Sequence, residues 1–147
     1  MALAEVVARS TGDAEDDLSF YFPDVECYVR PAGNRVVVQL KRPMKKTKGG
    51  IILPDDSRDT EHWNTQVAKV VATGPVAFRN RDNLTEWPEG DWCQPGDFVR
   101  VSKYGGDRWA VKMDDGLGDK DEITFVILRD TDVLGVVSDP TAIRAYL

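Results

Sequence analysis

One histidine, His62, and two cysteines, Cys27 and Cys93, are all that this 147-residue chain offers in imidazole and thiol. With no CxxC or HxxxH spacing, the usual structural zinc sites are excluded. A lone imidazole also leaves no specific nucleophile–base pair to assemble. There is no phosphate-cradling GxxxxGK[ST] and no dinucleotide-binding GxGxxG, so no enzyme is expected. No apolar run approaches the roughly 20 residues that span a bilayer. Met1 to Ser10 holds Glu5 and no basic stretch ahead of its apolar residues, and does not read as a secretory signal. Two thiols are too few for a secreted disulfide scaffold, which points to reduced packing cysteines and a cytoplasmic protein. His62 reads as a solvated loop residue.

Basic charge in excess is also missing. The 25 acidic and 19 basic side chains give a net charge of -6, unevenly spread. Glu5, Asp13, Glu15, Asp16, Asp17, Asp24 and Glu26 face only Arg9 in residues 1–29, and the remaining 18 acidic and 18 basic side chains cancel. A neutral body with an acidic arm has no general attraction for phosphate backbones or anionic lipid, so neither nucleic acid nor membrane is the expected partner.

What the chain does have is short β patterns punctuated by Gly and Pro. Arg35 to Leu40, Gln66 to Ala72, Phe98 to Val101, Trp109 to Met113, Glu122 to Leu128 and Val133 to Val137 read as strands. Val25 to Val29 partly alternates and reads as the first ordered stretch. No part of the body has helical periodicity; a short helix is possible only between Leu3 and Arg9. Such spacing predicts a small antiparallel β-barrel of one domain. It follows an acidic extension, residues 1–24, and precedes a tail, 138–147.

Between the first two long strands, residues 41–63 form a charged segment that carries Gly49-Gly50-Ile51-Ile52-Leu53-Pro54 at its centre. Lys41, Arg42, Lys45, Lys46 and Lys48 precede the apolar triplet, and Asp55, Asp56, Asp59 and Glu61 follow it. Such a composition keeps a segment solvated, while Gly49 and Gly50 act as a hinge and Pro54 blocks a helix. Two readings stand: Ile51 to Leu53 plugs its own domain, or it is offered to a partner. The acidic set Asp114, Asp115, Asp119, Asp121 and Glu122 lacks the order of a calcium loop and reads as a solvated hairpin turn.

Taken in order, Arg30-Pro31, Asn34 to Val38, Lys48 to Pro54, Val67 to Gly74, Pro95 to Val99, Lys103 to Gly106 and Ile127 to Val137 resemble the GroES-type co-chaperonins. The resemblance covers about residues 25–137. It implies a β-barrel subunit of a seven-membered ring that caps a GroEL-type chaperonin and encloses non-native substrate proteins. No cofactor would be bound directly, ATP being used by the partner. In that comparison Ile51, Ile52 and Leu53 match the chaperonin-binding tripeptide of the mobile loop, and residues 74–97 match the roof. Val25 to Arg30 and Val133 to Val137 match the end strands that pair between neighbouring subunits.

Trp87 and Trp92 are roof or cavity candidates that either pack together or face substrate. Tyr104 matches a position near the cavity wall. The acidic extension, the long roof, the Gly116-Leu117-Gly118 turn and the tail depart from the usual pattern. These additions resemble bacteriophage-encoded members that serve capsid folding in a host cytoplasm. The rival reading is a single-stranded nucleic-acid binder with Trp63, Trp87, Trp92 and Trp109 as stacking platforms.

Burying the triplet contributes about 5 to 9 kcal/mol per arm. Ordering about six loop residues costs about 6 to 12 kcal/mol. One arm therefore binds feebly, and several on one ring bind well.

Overall fold

The computed structural model describes residues 18–42, 66–103, 105–114 and 120–143. Six strands follow in chain order: β1 (Arg35–Leu40), β2 (Val67–Thr73), β3 (Phe98–Val101), β4 (Asp107–Asp114), β5 (Lys120–Arg129) and β6 (Val133–Val136). A 3-10 turn, Asp130–Asp132, links the last two. All pair antiparallel in one sheet of order β4-β5-β1-β2-β3-β6.

The sheet cannot be flat. β5 and β6 occupy its second and sixth places, which in a flat sheet lie about 19 Å apart at about 4.8 Å per strand. Arg129 and Val133, the end of one and the start of the other, are separated by one short turn whose chain reaches at most about 14 Å. The sheet must curl toward closure, and its packing agrees. Val36, Val38 and Leu40 of β1 share a single core with Val70 of β2, Val99 and Val101 of β3, Val126 and Leu128 of β5, and Val133 of β6.

β1 sits at the centre because Val36-Val37-Val38-Gln39-Leu40 is buried on both faces. Its β-branched run suits a pleated surface that packs above and below. The outer face carries a second, smaller cluster of Cys27, Val37, Ile123 and Phe125, flanked by Val25 and Trp109. The ring of Trp109 stacks on Phe125 at 5.8 Å.

The stretch that matches an end strand paired with a neighbouring subunit, Val25 to Arg30, joins no ladder among the described residues. Its alternation is nonetheless used: Val25 and Cys27 face the sheet, while Glu26 and Tyr28 face outward. Side chains tie it down in place of backbone pairs. Gln39 Nε2 donates to the Pro23 carbonyl at 2.9 Å, and Trp109 Nε1 donates to the Cys27 carbonyl at 2.8 Å. Within one subunit the stretch lies across the outer face of strands already paired.

Order starts before Val25. Residues 18–21 form a helical turn, closed by Phe22 N–H donating to the Leu18 carbonyl at 2.8 Å, and Tyr21 and Phe22 are buried. The expected helix between Leu3 and Arg9, the 116–118 turn, and Asp115 and Asp119 of the acidic set lie outside the described residues. Both cysteines are free and buried in different clusters, Cys27 under the outer face and Cys93 in the main core.

Candidate functional site

Three surfaces follow from this frame, and the first is the root of the segment that joins β1 to β2. The ladder between them runs out to Leu40 opposite Ala68, and Lys41 N–H then donates to the Val67 carbonyl at 3.0 Å. Lys41 and Val67 thus lie side by side at the two roots of an insertion, residues 43–65, where a hairpin would need only about two to five residues. Ile51, Ile52, Leu53, Gly49 and Gly50 belong to this insertion and lie outside the described residues, as does Tyr104.

Lys41 and Arg42, expected from their charge to be solvated, are only 8% and 9% exposed. The Lys41 ammonium sits 4.5 Å from the Tyr21 ring centre, and the Arg42 guanidinium 4.0 Å from that of Phe20. Their aliphatic stems are covered while the charges face aromatic rings, an arrangement open to long basic side chains. Charge alone had hidden this; the signal was Leu18-Ser19-Phe20-Tyr21-Phe22, a dense apolar run directly after the acidic stretch.

The second surface is the excursion 74–97. Gly74 opens it: a Cβ there would collide with the Gly33 carbonyl oxygen and lie 2.9 Å from that of Arg35. Arg79 bridges Glu86 across a small hairpin, with Asn80 N–H donating to the Thr85 carbonyl at 2.9 Å. Leu84 stands exposed at its tip with φ +59°. Phe78 has φ +63°, unusual for a bulky residue, and is held there from two sides. Its N–H donates to the buried Asp130 carboxylate at 2.9 Å, and its ring packs on Trp92 at 5.4 Å.

Trp92 in turn stacks on Trp87, with ring centres 6.3 Å apart and planes 20° from parallel. The hairpin base is thereby a continuation of the core. Cys93 lies beneath it, and its thiol is pushed up from 9.0 to about 11, first by burial and then by Asp97 and Asp91. With Trp87, Trp92 and Trp109 each engaged by an aromatic neighbour, three of the four indoles proposed as base-stacking platforms are occupied by the protein itself.

The third surface is apolar and split between two places. Among the described residues β6 pairs with β3 on one side only, and Leu134 and Val136 on this edge strand are 60% and 62% exposed. Apart from them in the sequence, Tyr28 is 78% exposed and Val29 is also exposed. Tyr28 has φ +65°, and its N–H donates to the Glu26 carboxylate at 3.3 Å. Exposed apolar groups on an unpaired edge invite another chain unless covered.

The sheet order, the insertion after β1 and the hairpin after β2 all lie within one stretch that the profile of the chaperonin 10 kDa subunit family matches, residues 28–137. The chain belongs to that family. A co-chaperonin GroES of Methylacidiphilum infernorum (isolate V4) is 37% identical over 113 residues, covering 77% of this chain and 97% of that protein. The family match begins one residue after Cys27 and ends one residue past β6. It therefore leaves out both the aromatic turn at 18–22 and the residues that follow Val137.

Among the described residues no group of three His, Cys, Asp or Glu side chains converges as metal ligands. No helix among them is long and apolar enough to cross a membrane.

Proposed function

We propose that this protein is a co-chaperonin whose copies form a ring-shaped lid on a GroEL-type cylinder and enclose substrate proteins during ATP-dependent folding. The observation that carries this is the β1–β2 connection. Its ends are pinned together by Lys41 and Val67, so residues 43–65 are inserted at a single point of the ladder. An insertion so much longer than a hairpin turn is suited to serve a partner, and Ile51, Ile52 and Leu53 supply it with apolar anchors flanked by Gly49 and Gly50. Helix-lined apolar grooves take such anchors readily.

Ring formation rests on the split apolar surface. An open β6 edge on one subunit and the Tyr28-Val29 stretch of the next make a heterologous contact, which closes into a ring when the rotation allows. Seven subunits, a cytoplasmic site and service to a phage capsid protein are the finer parts of the reading. Residues 74–97 would form the roof, with Trp87 and Trp92 as its internal support and Tyr104 toward the chamber. ATP belongs to the partner; this chain binds no cofactor.

Mixing the purified protein with a chaperonin and ATP tests the proposal, by electron microscopy of the complex and by ATP turnover. Capped cylinders and slowed turnover are expected. Ile52→Asp should abolish capping while native mass shows the ring intact, because a charge in each groove weakens every arm and the losses multiply. Normal capping by that variant would refute the docking role of the triplet.

A further inference from the structure

Two parts of the chain that the family match leaves out meet at one place. Tyr21 and Phe22, from before it, form a cluster with Val67, Phe98 and Ile143, the last from beyond its end. The Phe22 and Phe98 rings lie 5.1 Å apart. This cluster sits against both roots of the inserted segment, since Val67 opens β2 and Tyr21 meets Arg42, two residues past the end of β1.

Polar contacts lock the same spot. Arg42 N–H donates to the Tyr21 carbonyl at 3.0 Å, continuing past the point where the β1–β2 ladder stops. Lys41 Nζ donates to the Ile143 carbonyl at 2.8 Å, a link across 102 positions of sequence, and also faces the Tyr21 ring. Arg42 lies over Phe20. One pair of neighbouring basic residues thus holds the front flank and the rear flank together at the base of the insertion.

We propose that residues 18–22 and 140–143 form a brace whose task is to fix the root of the chaperonin-docking segment. This rests on the docking reading given above. Each backbone residue that must be ordered on docking lowers the affinity of an arm by about tenfold. Holding Lys41 and Arg42 in place beforehand removes that penalty from every arm, and on a ring the gain multiplies. It would also set the direction in which the segment leaves the sheet. The brace is therefore a positioning device for this member of the family, built from residues outside the shared barrel.

The test compares the full chain with a deletion of residues 1–22 and with the milder Lys41→Gln, by amide hydrogen exchange and by chaperonin affinity with ATP. The deletion should speed exchange at Lys41 and Arg42 by at least tenfold while Val36 to Leu40 stay protected and native mass is unchanged. Lys41→Gln, which keeps the aromatic cluster, should give a smaller rise at the same two amides. Chaperonin affinity should fall at least tenfold for the deletion.

Unchanged exchange at Lys41 and Arg42 in both variants overturns the brace, whatever the docking result. Faster exchange with undiminished affinity overturns its role in docking. If the full chain itself never docks, the loop reading has failed, and exchange alone then decides whether the roots are braced. Should the deletion not fold, Lys41→Gln carries the decision.

Discussion

Cys93 illustrates how a thiol is silenced by position. Burial and the nearby Asp97 and Asp91 push it from 9.0 to about 11, so at pH 8 roughly one molecule in a thousand carries the reactive thiolate. Because the folded value is raised, the native state holds its proton longer than the unfolded chain does. The associated stability is intact below about pH 9 and is lost as pH climbs toward 11. We expect the urea midpoint of the native protein to fall more between pH 9 and 11 than that of Cys93→Ala, with the two curves parallel from pH 6 to 8. A packing role for both cysteines was legible from their number alone. Their placement in separate clusters was not, because nothing in Cys27 or its neighbours says which face of a sheet it will cover.

Among the elements, the strands were legible and their flanks were not. Val36 to Leu40 and Phe98 to Val101 announce themselves by β-branched and alternating residues between turn signals, and the observed β1 and β3 have the expected bounds. Val25 to Val29 carries a similar alternation and makes no ladder, since period two reports which side chains are covered rather than which backbone is paired. The turn at 18–21 was not legible because the acidic residues before it set the character of the whole stretch. The hairpin after β2 depends on a backbone detail, the approach of Gly74 to the carbonyls of Gly33 and Arg35. Gly74→Ala should destabilise the fold by about 1–3 kcal/mol, since neither carbonyl can withdraw without breaking its own bond. Chemical denaturation measures this, and a loss under about 0.5 kcal/mol would show the hairpin base to be soft.

For the molecule as a whole, the unpaired β6 edge matters most. Val136→Asp places a charge on an edge position that is already solvent-exposed in one subunit, so the isolated fold should lose less than about 0.5 kcal/mol. Assembly should suffer far more, because charged edge residues oppose strand addition. Native mass spectrometry should find the full chain as a closed ring and the variant as smaller species. An undisturbed ring would place the subunit contact elsewhere. The proposed association surface was readable only through family resemblance, as exposure of Leu134 and Val136 depends on which strand lies beside them.

The pairing of β1 with β5 sets the order of events at birth. Arg35 faces Arg129, and Gln39 faces Phe125, so the central strand waits for partners made near the end of synthesis. A nascent chain carrying only β1, β2 and β3 has one flank of its most apolar strand bare. Such distant partnering slows folding and leaves the half-built sheet open to misassociation. A member of a co-chaperonin family is thus itself, while emerging from the ribosome, open to the misassociation that chaperones prevent.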